Sequence, residues 1–364
     1  MSKEFVKLGI VGLGRGRWVV TEVVGEKEVK LTAICDHNPE KLQSAKEDFE
    51  SRGVENLQCF SDYDEMLKSD IEAVFIATDA IYHVPFVIKA MEAGKHVISE
   101  IPTVNSLEEA KQLRACVKSH PELKYMAGEN CCYWSFIQAW KTMYDDGKFG
   151  DISYAESEYI HSKDWREMKP EEYPADHWRS FNPAIKYLTH NLGPLLYIMG
   201  DEVVSVSCMV PEVSYNPYIK IYNNGVALFK TKKGAVIRIL ICFDAFVGFD
   251  HNFAMIGTRG TIETDKTKPL EVAHSFARFS DIPGSINEKV EIPVGLSFPG
   301  EANGGHGGAD RKMMMAFIKC ILEDTDPPID VDMGISMSLP GIFADESAKK
   351  GGAIVEIPSL KELD

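Results

Sequence analysis

Long hydrophobic runs are missing from the sequence. No window contains the roughly 18 uninterrupted apolar residues that a membrane-spanning helix needs. Residues 1–7 also contain no apolar stretch before a small-residue cleavage site, as a secretory signal would require. We therefore expect a cytoplasmic protein that has no membrane partner.

Positive charge is scarce as well. The 364 residues include 39 Lys and Arg against 55 Asp and Glu, which gives a formal net charge of −16 at pH 7. Such a chain repels the phosphate backbone of nucleic acids and the surface of anionic membranes. We therefore exclude both as partners and expect a small, uncharged substrate.

Cysteine is present without a pattern. The eight cysteines are scattered, and the only close pair, Cys131 and Cys132, lacks the two-residue spacer of a redox motif or zinc knuckle. We expect reduced, mostly buried thiols, as in a reducing compartment. Four histidines are candidate metal ligands, namely His161, His177, His190 and His306. No metal site is predicted, because no two of them stand at the helical spacing of metal ligands.

The chain is long enough for two domains at about 150 residues each. From residue 5 to about residue 125, short apolar runs alternate with amphipathic segments, which predicts an α/β domain with a doubly wound parallel sheet. After about residue 150, strand-like stretches follow each other, which indicates an α+β domain with a large, open antiparallel sheet. We place the domains at residues 1–128 and 129–364.

Two helices are predicted to close the chain. They cover residues 310–323 and about 334–349. Pro340 argues against a single helix in the second segment, because proline removes a backbone donor from a helix interior.

The first predicted strand runs into a glycine-rich turn. Residues 12–17 read GLGRGR, and a helix is predicted over residues 18–24. Glycines are needed here because the turn is tight and because a pyrophosphate must approach backbone N–H groups at a helix N-terminus. The third glycine stands one residue early, since Arg17 occupies its usual position. Arg15 or Arg17 is therefore an alternative contact for the pyrophosphate.

An acidic residue completes this pattern. Asp36 ends the second apolar run about 20 residues later, where a carboxylate accepts hydrogen bonds from the adenosine ribose. Because a carboxylate repels the extra phosphate of NADP, NAD is the predicted cofactor. The alternative is that the glycines form a simple loop and Asp36 caps the helix that begins near Pro39. The predicted cofactor-binding residues of this segment are Gly12, Gly14, Arg15, Gly16, Arg17, Trp18 and Asp36.

Further segments carry a family resemblance. Residues 73–78 (AVFIAT), His83, residues 93–97 (AGKHV) and residues 100–102 (EIP) resemble the Gfo/Idh/MocA oxidoreductase family, over nearly the whole chain. The resemblance implies a Rossmann domain that binds NAD(P) over residues 1–128. It implies that residues 129–364 carry the sugar or polyol site and the oligomer interface, hence a homodimer or higher even homo-oligomer. The cofactor-site residues that it adds are Thr78, His83, Glu100, Asn130 and Pro102, the last after a cis peptide bond.

One family residue is missing. Most members have Glu-Lys-Pro where this chain has Glu100, Ile101 and Pro102, and that lysine takes part in substrate binding and proton transfer. An alkyl side chain cannot carry a proton. Either the activity is lost or another residue supplies the base.

The second half supplies such residues. His190, in residues 186–194 (KYLTHNLGP), falls on the family's active-site histidine. With residues 129–133, 158–161 and 305–310, this segment is similar to a narrower branch of the family. The branch contains NAD-dependent glycosidases of the α-N-acetylgalactosaminidase type and dehydrogenases that oxidise the sugar of a glycoside at C3.

Alcohol oxidation needs a base beside the hydroxyl group. A neutral imidazole suits this role, so His190 is the predicted base, and Tyr187 is a residue that either hands the proton along or holds the neighbouring hydroxyl. Lys186 is a third candidate if it loses its proton. We expect Tyr159 and His161 to point to opposite faces of a strand, with Tyr159 facing the substrate. The alternative for a lone histidine is a structural role.

Other polar and aromatic residues suit a sugar. Aromatic faces and guanidinium groups pack on sugar rings and bind hydroxyls, although a tryptophan can also belong to the core. The glycine-rich residues 303–308 are either a substrate loop or a simple helix-entry loop. The predicted substrate-binding residues are Glu129, Trp178, Arg179 and His306.

Three functions remain open from the sequence. The first is an NAD-dependent dehydrogenase that removes a hydride from a ring carbon, expected to be C3, of a sugar or glycoside. The second is a glycosidase that recycles NAD through oxidation, elimination, water addition and re-reduction. The third is a non-catalytic NAD or sugar sensor, which the missing lysine at Ile101 suggests.

Overall fold

A computed structural model describes residues 4–161, 182–212, 221–245, 250–268, 274–284, 287–297 and 304–364. The described residues form two compact units. The first lies within Met1–Asn130, Asn303–Ile335 and Leu363–Asp364, and the second lies within Cys131–Ala302 and Ser336–Glu362. Every helix in the described ranges is too short or too polar to span a bilayer.

The first unit contains a parallel sheet. Its strands are β1 Val6–Val11, β2 Val29–Cys35, β3 Gln58–Phe60, β4 Ala73–Ile76, β5 His96–Ser99 and β6 Tyr125–Ala127. They form a six-stranded sheet in the order β3-β2-β1-β4-β5-β6, and all adjacent strands run parallel. All of β4 is buried, as is typical of a parallel sheet covered on both faces. The predicted doubly wound α/β fold is confirmed.

Helices connect these strands. They are α1 Arg15–Thr21, α2 Pro39–Ser51, α3 Tyr63–Leu67, α4 His83–Glu92 and α5 Leu107–Ser119. Helix α1 begins earlier than predicted, because the glycine turn enters it directly. The N-cap of α2 is Asn38, whose side chain accepts hydrogen bonds from the backbone N–H groups of Glu40 and Lys41. The alternative that Asp36 caps this helix is therefore wrong.

The second unit contains a larger sheet. Its strands are β7 Ile152–Ile160, β8 Val203–Met209, β9 Asn224–Thr231, β10 Val236–Cys242, β11 Asp250–Gly257, β12 Gly260–Thr264, β13 Ser275–Phe279, β14 Val290–Ile292 and β15 Val355–Glu356. The order of this nine-stranded sheet is β14-β13-β12-β11-β7-β10-β9-β8-β15. The predicted antiparallel sheet needs one correction, because β7 and β10 pair in parallel. The long connection between them, through β8 and β9, permits this direction.

One face of the second sheet is covered by helices. These are α6 Ser135–Asp145 and α7 Thr189–Met199, and α7 packs on β7 through a hydrogen bond from Asn191 to Ser157. Residues alternate strictly along β9 between buried and exposed. Val226 and Leu228 are accordingly exposed on the opposite, open face.

Two helices lie near the end of the chain, α8 Ala309–Glu323 and α9 Val331–Lys349. Helix α9 is continuous through Pro340, so the expectation of an interruption was wrong. Ile335, Leu339 and Ala344 are buried on α9, and this burial offsets the hydrogen bond that proline cannot donate. The boundary between the units falls inside α9.

Helix α8 belongs to the first unit, although it lies far beyond residue 128 in the chain. Its apolar residues Met313, Phe317 and Ile318 are fully buried, and its Asp310 contacts Arg15 at the start of α1. After most of the second unit, the chain therefore returns to the first unit. A single boundary between residues 128 and 129 does not assign α8 to the first unit.

Candidate active site

The turn between β1 and α1 has the shape that a dinucleotide needs. Gly12 has a φ of +92°, and a Cβ there would lie 2.4 Å from the carbonyl oxygen of Ala77. A Cβ on Gly14, in contrast, would meet no atom of the described residues within 4 Å. The turn is therefore closed against the sheet at Gly12 and open at Gly14, where backbone N–H groups can receive an anion.

Gly16 lets α1 approach the sheet closely. A Cβ at this position would lie 2.7 Å from Cβ of Ala77 and 2.9 Å from Cδ1 of Ile10. The third glycine of a dinucleotide-binding turn permits this same close packing. Gly16 thus allows it although it stands one residue earlier than usual.

Asp36 lies at the end of β2 and is buried. One carboxylate oxygen accepts a hydrogen bond of 2.9 Å from the backbone N–H of Leu13, in the glycine turn, and the other accepts one of 2.9 Å from Asn38. Each oxygen still has a lone pair for a further donor. The carboxylate is thus fixed beside the turn and can accept ribose hydroxyls.

The two arginines of the turn are held by carboxylates. Arg15 Nη2 lies 2.6 Å from Asp310 Oδ1, and its Nε lies 3.4 Å from Glu100 Oε1. Arg17 Nε lies 3.1 Å from Asp48 on α2, and its guanidinium lies 5.5 Å from the ring centroid of the exposed Trp18. Arg17 therefore ties α1 to α2, whereas Arg15 ties α1 to Glu100 and to α8.

His83 connects two loops at the carboxyl ends of the strands. Its Nε2 lies 3.0 Å from the carbonyl oxygen of Thr78, and its Nδ1 lies 3.0 Å from that of Pro102. The peptide bond before Pro102 is cis, as expected. Burial lowers the pKa of His83, although both carbonyl contacts act in the opposite direction. His83 therefore fixes the backbone of both loops.

Three predicted residues of the first unit lie near the start of α8 or on the segment after β6. Asn130 donates a hydrogen bond of 2.9 Å to Asp310, and His306 Nδ1 lies 3.0 Å from the same carboxylate. Glu129 is fully buried. Asp310 thus gathers Arg15, Asn130 and His306 around one carboxyl group.

A second group of predicted residues surrounds His190, on the first turn of α7. The sulfur of Cys131 lies 3.3 Å from His190 Nδ1. The ring of Tyr187 contacts the imidazole edge to face at 5.2 Å between centroids, and that of Tyr159 does so at 5.8 Å. The structure therefore brings three of the four predicted catalytic residues together.

Tyr159 lies among further aromatic rings. Its ring stacks on His251 at 4.1 Å between centroids and meets Phe243 at 5.1 Å. The ring of His161 lies 5.9 Å from that of Tyr159. The expectation that Tyr159 and His161 point to opposite faces was wrong, because residues two apart on a strand share a face.

Lys186 is engaged elsewhere. Its Nζ lies 3.3 Å from Asp345, whose carboxylate also binds Lys349 at 2.7 Å and the hydroxyl of Tyr222. Burial alone would raise the pKa of Asp345, but its bonds to Lys349 and Tyr222 and the charge of Lys186 lower it. Asp345 is thus a carboxylate, and its ion pair with Lys186 occupies the side chain of this lysine.

Three residues of these clusters are not among the site residues that the sequence predicts. They are Cys131, His251 and Phe243. His251 pairs with Tyr159 across β11 and β7, and this pairing joins residues far apart in the chain. The predicted Trp178 and Arg179 lie outside the described residues.

Comparison with known families now identifies the chain. The sequence model of the Gfo/Idh/MocA oxidoreductase family, NAD-binding Rossmann fold, matches residues 6–128, and that of the Gfo/Idh/MocA C-terminal domain matches residues 137–263. The chain belongs to the Gfo/Idh/MocA family. The sequence model of the glycosyl hydrolase 109 C-terminal domain also matches this Gfo/Idh/MocA protein, over residues 219–362.

Similar proteins carry the name glycosyl hydrolase family 109 protein. One from Solibacter usitatus is 27% identical, and the alignment covers 98% of this chain and 88% of that protein. Another from Porphyromonas gingivalis is 26% identical, with coverage of 91% and 78%. The predicted family and branch are therefore confirmed.

Solved structures of the same fold include sugar and polyol dehydrogenases. Levoglucosan dehydrogenase in complex with NADH and L-sorbose has a TM-score of 0.84 and 20% identity, with coverage of 98% of this chain and all of that one. Scyllo-inositol dehydrogenase from Lactobacillus casei, with bound NAD(H) and scyllo-inositol, has a TM-score of 0.78 and 23% identity, with coverage of 97% and 99%. At these identities the likeness concerns the fold.

The first unit of this Gfo/Idh/MocA protein is an NAD-binding Rossmann domain. Its residues fit the cofactor, because the glycine turn is closely packed at Gly12 and Gly16 and open at Gly14, and because Asp36 is fixed at the end of β2. The prediction of NAD is confirmed.

All eight cysteines are free thiols, as predicted.

Proposed function

We propose that this protein is an NAD-dependent dehydrogenase that oxidises a ring secondary alcohol, at C3, of a sugar or glycoside. The observation that carries the proposal is the His190 cluster, in which one imidazole has Cys131 beside Nδ1 and two tyrosine rings in edge-to-face contact with it. The names of the relatives and of the solved structures with the same fold support sugars as substrates.

His190 is the proposed base. Bound NAD supplies the hydride acceptor for the alcohol carbon. His190 accepts the hydroxyl proton through Nε2, since Nδ1 is turned towards Cys131. Tyr187, in edge-to-face contact with the imidazole, passes this proton on or binds a neighbouring hydroxyl. His190 thereby replaces the proton-transfer function of the lysine that is absent at Ile101.

Other residues bind and orient the substrate. The ammonium of Lys186, fixed by Asp345, offers donors to a sugar hydroxyl. Tyr159, held between His251 and Phe243, offers a rigid aromatic surface for a sugar ring. Glu129, Trp178, Arg179 and His306 remain proposed substrate residues. Thr78, Glu100 and Asn130 remain proposed neighbours of the nicotinamide.

NADH absorbance tests the proposal. The purified protein with NAD and a panel of glycosides and polyols is expected to form NADH with at least one of them. His190→Asn keeps the ring's size approximately and removes the base, so it should lower the rate about 100-fold or more. His274→Asn is the matched control, because His274 pairs with Glu291 outside the cluster. Tight NAD binding without any absorbance change on the whole panel would contradict the proposal, and it would favour a sensor if no glycoside is cleaved either.

A second candidate function is net hydrolysis of a glycoside. The match to the glycosyl hydrolase 109 C-terminal domain over residues 219–362 favours it. A ketone at C3 acidifies the proton at C2, which allows the C1 substituent to leave before water adds and the ketone is reduced again. Release of nitrophenol from an aryl glycoside without net NADH would support this function. Accumulation of a 3-keto sugar would support the dehydrogenase.

The open face of the second sheet supports a homo-oligomer. Val226 and Leu228 on β9 are exposed there. Arg238 of β10 forms ion pairs across the same face with Glu156 and Glu158 of β7. Exposed apolar side chains beside such a network are typical of a surface that a second subunit covers. We therefore propose a homodimer or a higher even homo-oligomer.

A further inference from the structure

Asp310 is a buried carboxylate on the first turn of α8. Only 1% of the residue is exposed. Its two oxygens have different partners: Oδ1 lies 2.6 Å from Arg15 Nη2 and 2.9 Å from Asn130 Nδ2, and Oδ2 lies 3.0 Å from His306 Nδ1. One oxygen therefore serves the glycine turn and the segment after β6, and the other serves the loop before α8.

The carboxyl group of Asp310 is held in its ionised form. Burial alone would raise the pKa of its carboxyl group, but the hydrogen bonds from His306 and Arg15 hold that pKa well below the usual range. Arg15 in turn has a second carboxylate partner, Glu100, at 3.4 Å. The guanidinium is thus clamped between two acidic groups at the entrance to α1, and its direction depends on both.

The loop before α8 lies close to two carboxylates. The backbone N–H of Gly305 donates a hydrogen bond of 3.1 Å to Glu22, at the end of α1. A Cβ on Gly305 would lie 2.7 Å from Asp310 Oδ2, and one on Gly304 would lie 2.3 Å from Glu22 Oε2. A side chain at either position would displace one of these carboxylates, and glycine permits the close approach.

His306 is the exception in this glycine loop. Its φ is +51°, in the left-handed region that a side chain rarely adopts, and its neighbours Gly307 and Gly308 also have positive φ. A glycine at position 306 would adopt this backbone conformation without strain. The presence of a histidine there instead points to a function of its side chain. Its hydrogen bond to Asp310 places the proton of a neutral imidazole on Nδ1, which leaves Nε2 as the acceptor.

We propose that Asp310 is a positioning residue that couples NAD binding to the His306 loop. Through Oδ1 it fixes Arg15 and Asn130 for the cofactor, and through Oδ2 it fixes the tautomer of His306 and the path of residues 304–308. Because coupling between two sites is reciprocal, NAD binding orders the loop and an ordered loop strengthens NAD binding. The role of His306 towards a sugar rests on the proposed function, whereas the coupling rests only on the proposed contacts of Arg15 and Asn130 with the cofactor.

Asp310→Asn is the decisive variant. An amide has one oxygen and one NH₂ group, so it cannot accept from both sides. If the amide oxygen keeps the hydrogen bonds from Arg15 and Asn130, the NH₂ group faces His306. It then donates to Nδ1, and the imidazole proton moves to Nε2. Nitrogen chemical shifts of ¹⁵N-labelled histidine in the NAD-free protein report this switch without any turnover.

Three outcomes are expected. His306 carries its proton on Nδ1 in the original protein and on Nε2 in Asp310→Asn. The dissociation constant of NAD, measured by calorimetry, rises about 10-fold in the variant. Asp332→Asn is the matched control and changes neither quantity, because it removes a different carboxylate of the first unit, bound to Arg114.

A measurement on the original protein keeps the test valid if Asp310→Asn does not fold. Saturating NAD should slow amide hydrogen exchange in residues 304–308. Unchanged exchange there, or a folded Asp310→Asn protein with the original tautomer and NAD affinity, would overturn the coupling. If no sugar is turned over but the tautomer switch and the exchange effect are present, the proposed function fails and the coupling stands.

Discussion

The sulfur of Cys131 lies 3.3 Å from Nδ1 of His190, in the second unit. A neutral imidazole has one N–H, so the partner of one ring nitrogen decides what the other can do. In the tautomer whose Nδ1–H donates to the sulfur, Nε2 keeps the lone pair that a base needs. The position of Cys131 therefore bears on which ring nitrogen is available as the base.

Cys131→Ala should lower the turnover number about 10-fold, because His190 loses the contact that fixes its tautomer. Cys131→Ser should retain most of the activity, since a hydroxyl oxygen also accepts from Nδ1–H. The measurement is the initial rate of NADH formation at saturating sugar, together with the ¹⁵N shifts of His190. Cys208→Ala is the control, because Cys208 is another buried thiol of the second unit, on β8. Equal rates for the original protein and Cys131→Ala would contradict this prediction.

Gly14→Ala and Gly16→Ala should separate cofactor binding from stability. A Cβ on Gly14 meets no atom, so the variant should lose less than about 1 kcal/mol of stability but weaken NAD binding at least 10-fold. A Cβ on Gly16 meets Ala77 at 2.7 Å, so that variant should lose about 1–3 kcal/mol. Urea unfolding and calorimetric NAD titration measure the two effects. If Gly14→Ala instead lost the stability and Gly16→Ala the NAD affinity, the turn would bind its cofactor differently.

The stability that Asp310 contributes should depend on pH. Because its pKa is lowered in the folded state, the contribution is present above the pKa of the unfolded carboxyl group, about 3.9, and is lost as the pH falls below it. The difference in urea midpoint between the original protein and Asp310→Asn should therefore be constant from pH 7 to pH 5 and narrow towards pH 3. A difference that stays constant to pH 3 would show that Asp310 acts through packing alone.

Leu228→Lys should weaken subunit association. Leu228 is exposed on the open face of the second sheet, next to Arg238 of β10, and a lysine there adds a positive charge without disturbing the buried face. Light scattering after size-exclusion chromatography should show a smaller species at micromolar concentration. Ile282→Lys is the control, since Ile282 is exposed in a turn after β13. The same mass for all three proteins would show that this face is not the interface.

Much of the first unit could be predicted because its interactions are local. The glycines, the strand before them and Asp36 lie within about 30 residues, and period and spacing are sufficient to recognise such a unit. The continuation of α9 through Pro340 could not be predicted, because burial along the helix offsets a lost hydrogen bond. The parallel pairing of β7 with β10 depends on how a long connection returns, and alternation of residue types does not specify it.

The site residues divide in the same way. His190, Tyr187 and Tyr159 were recognisable from segments of sequence. In contrast, the ion pair of Lys186 with Asp345 and the stacking of Tyr159 on His251 join residues roughly 90–160 positions apart. Their roles depend on contacts that only strand and helix packing create.

The sequence alone determined the family, the cofactor and the doubly wound sheet, because each depends on short motifs and on periodic patterns of apolar residues. The tertiary structure decided that α8 returns to the first unit, that Asp310 binds Arg15, Asn130 and His306 together, and that Cys131 faces His190. The physical reason is that a buried polar side chain takes its partners from whatever the fold brings near it, and these partners lie anywhere along the chain.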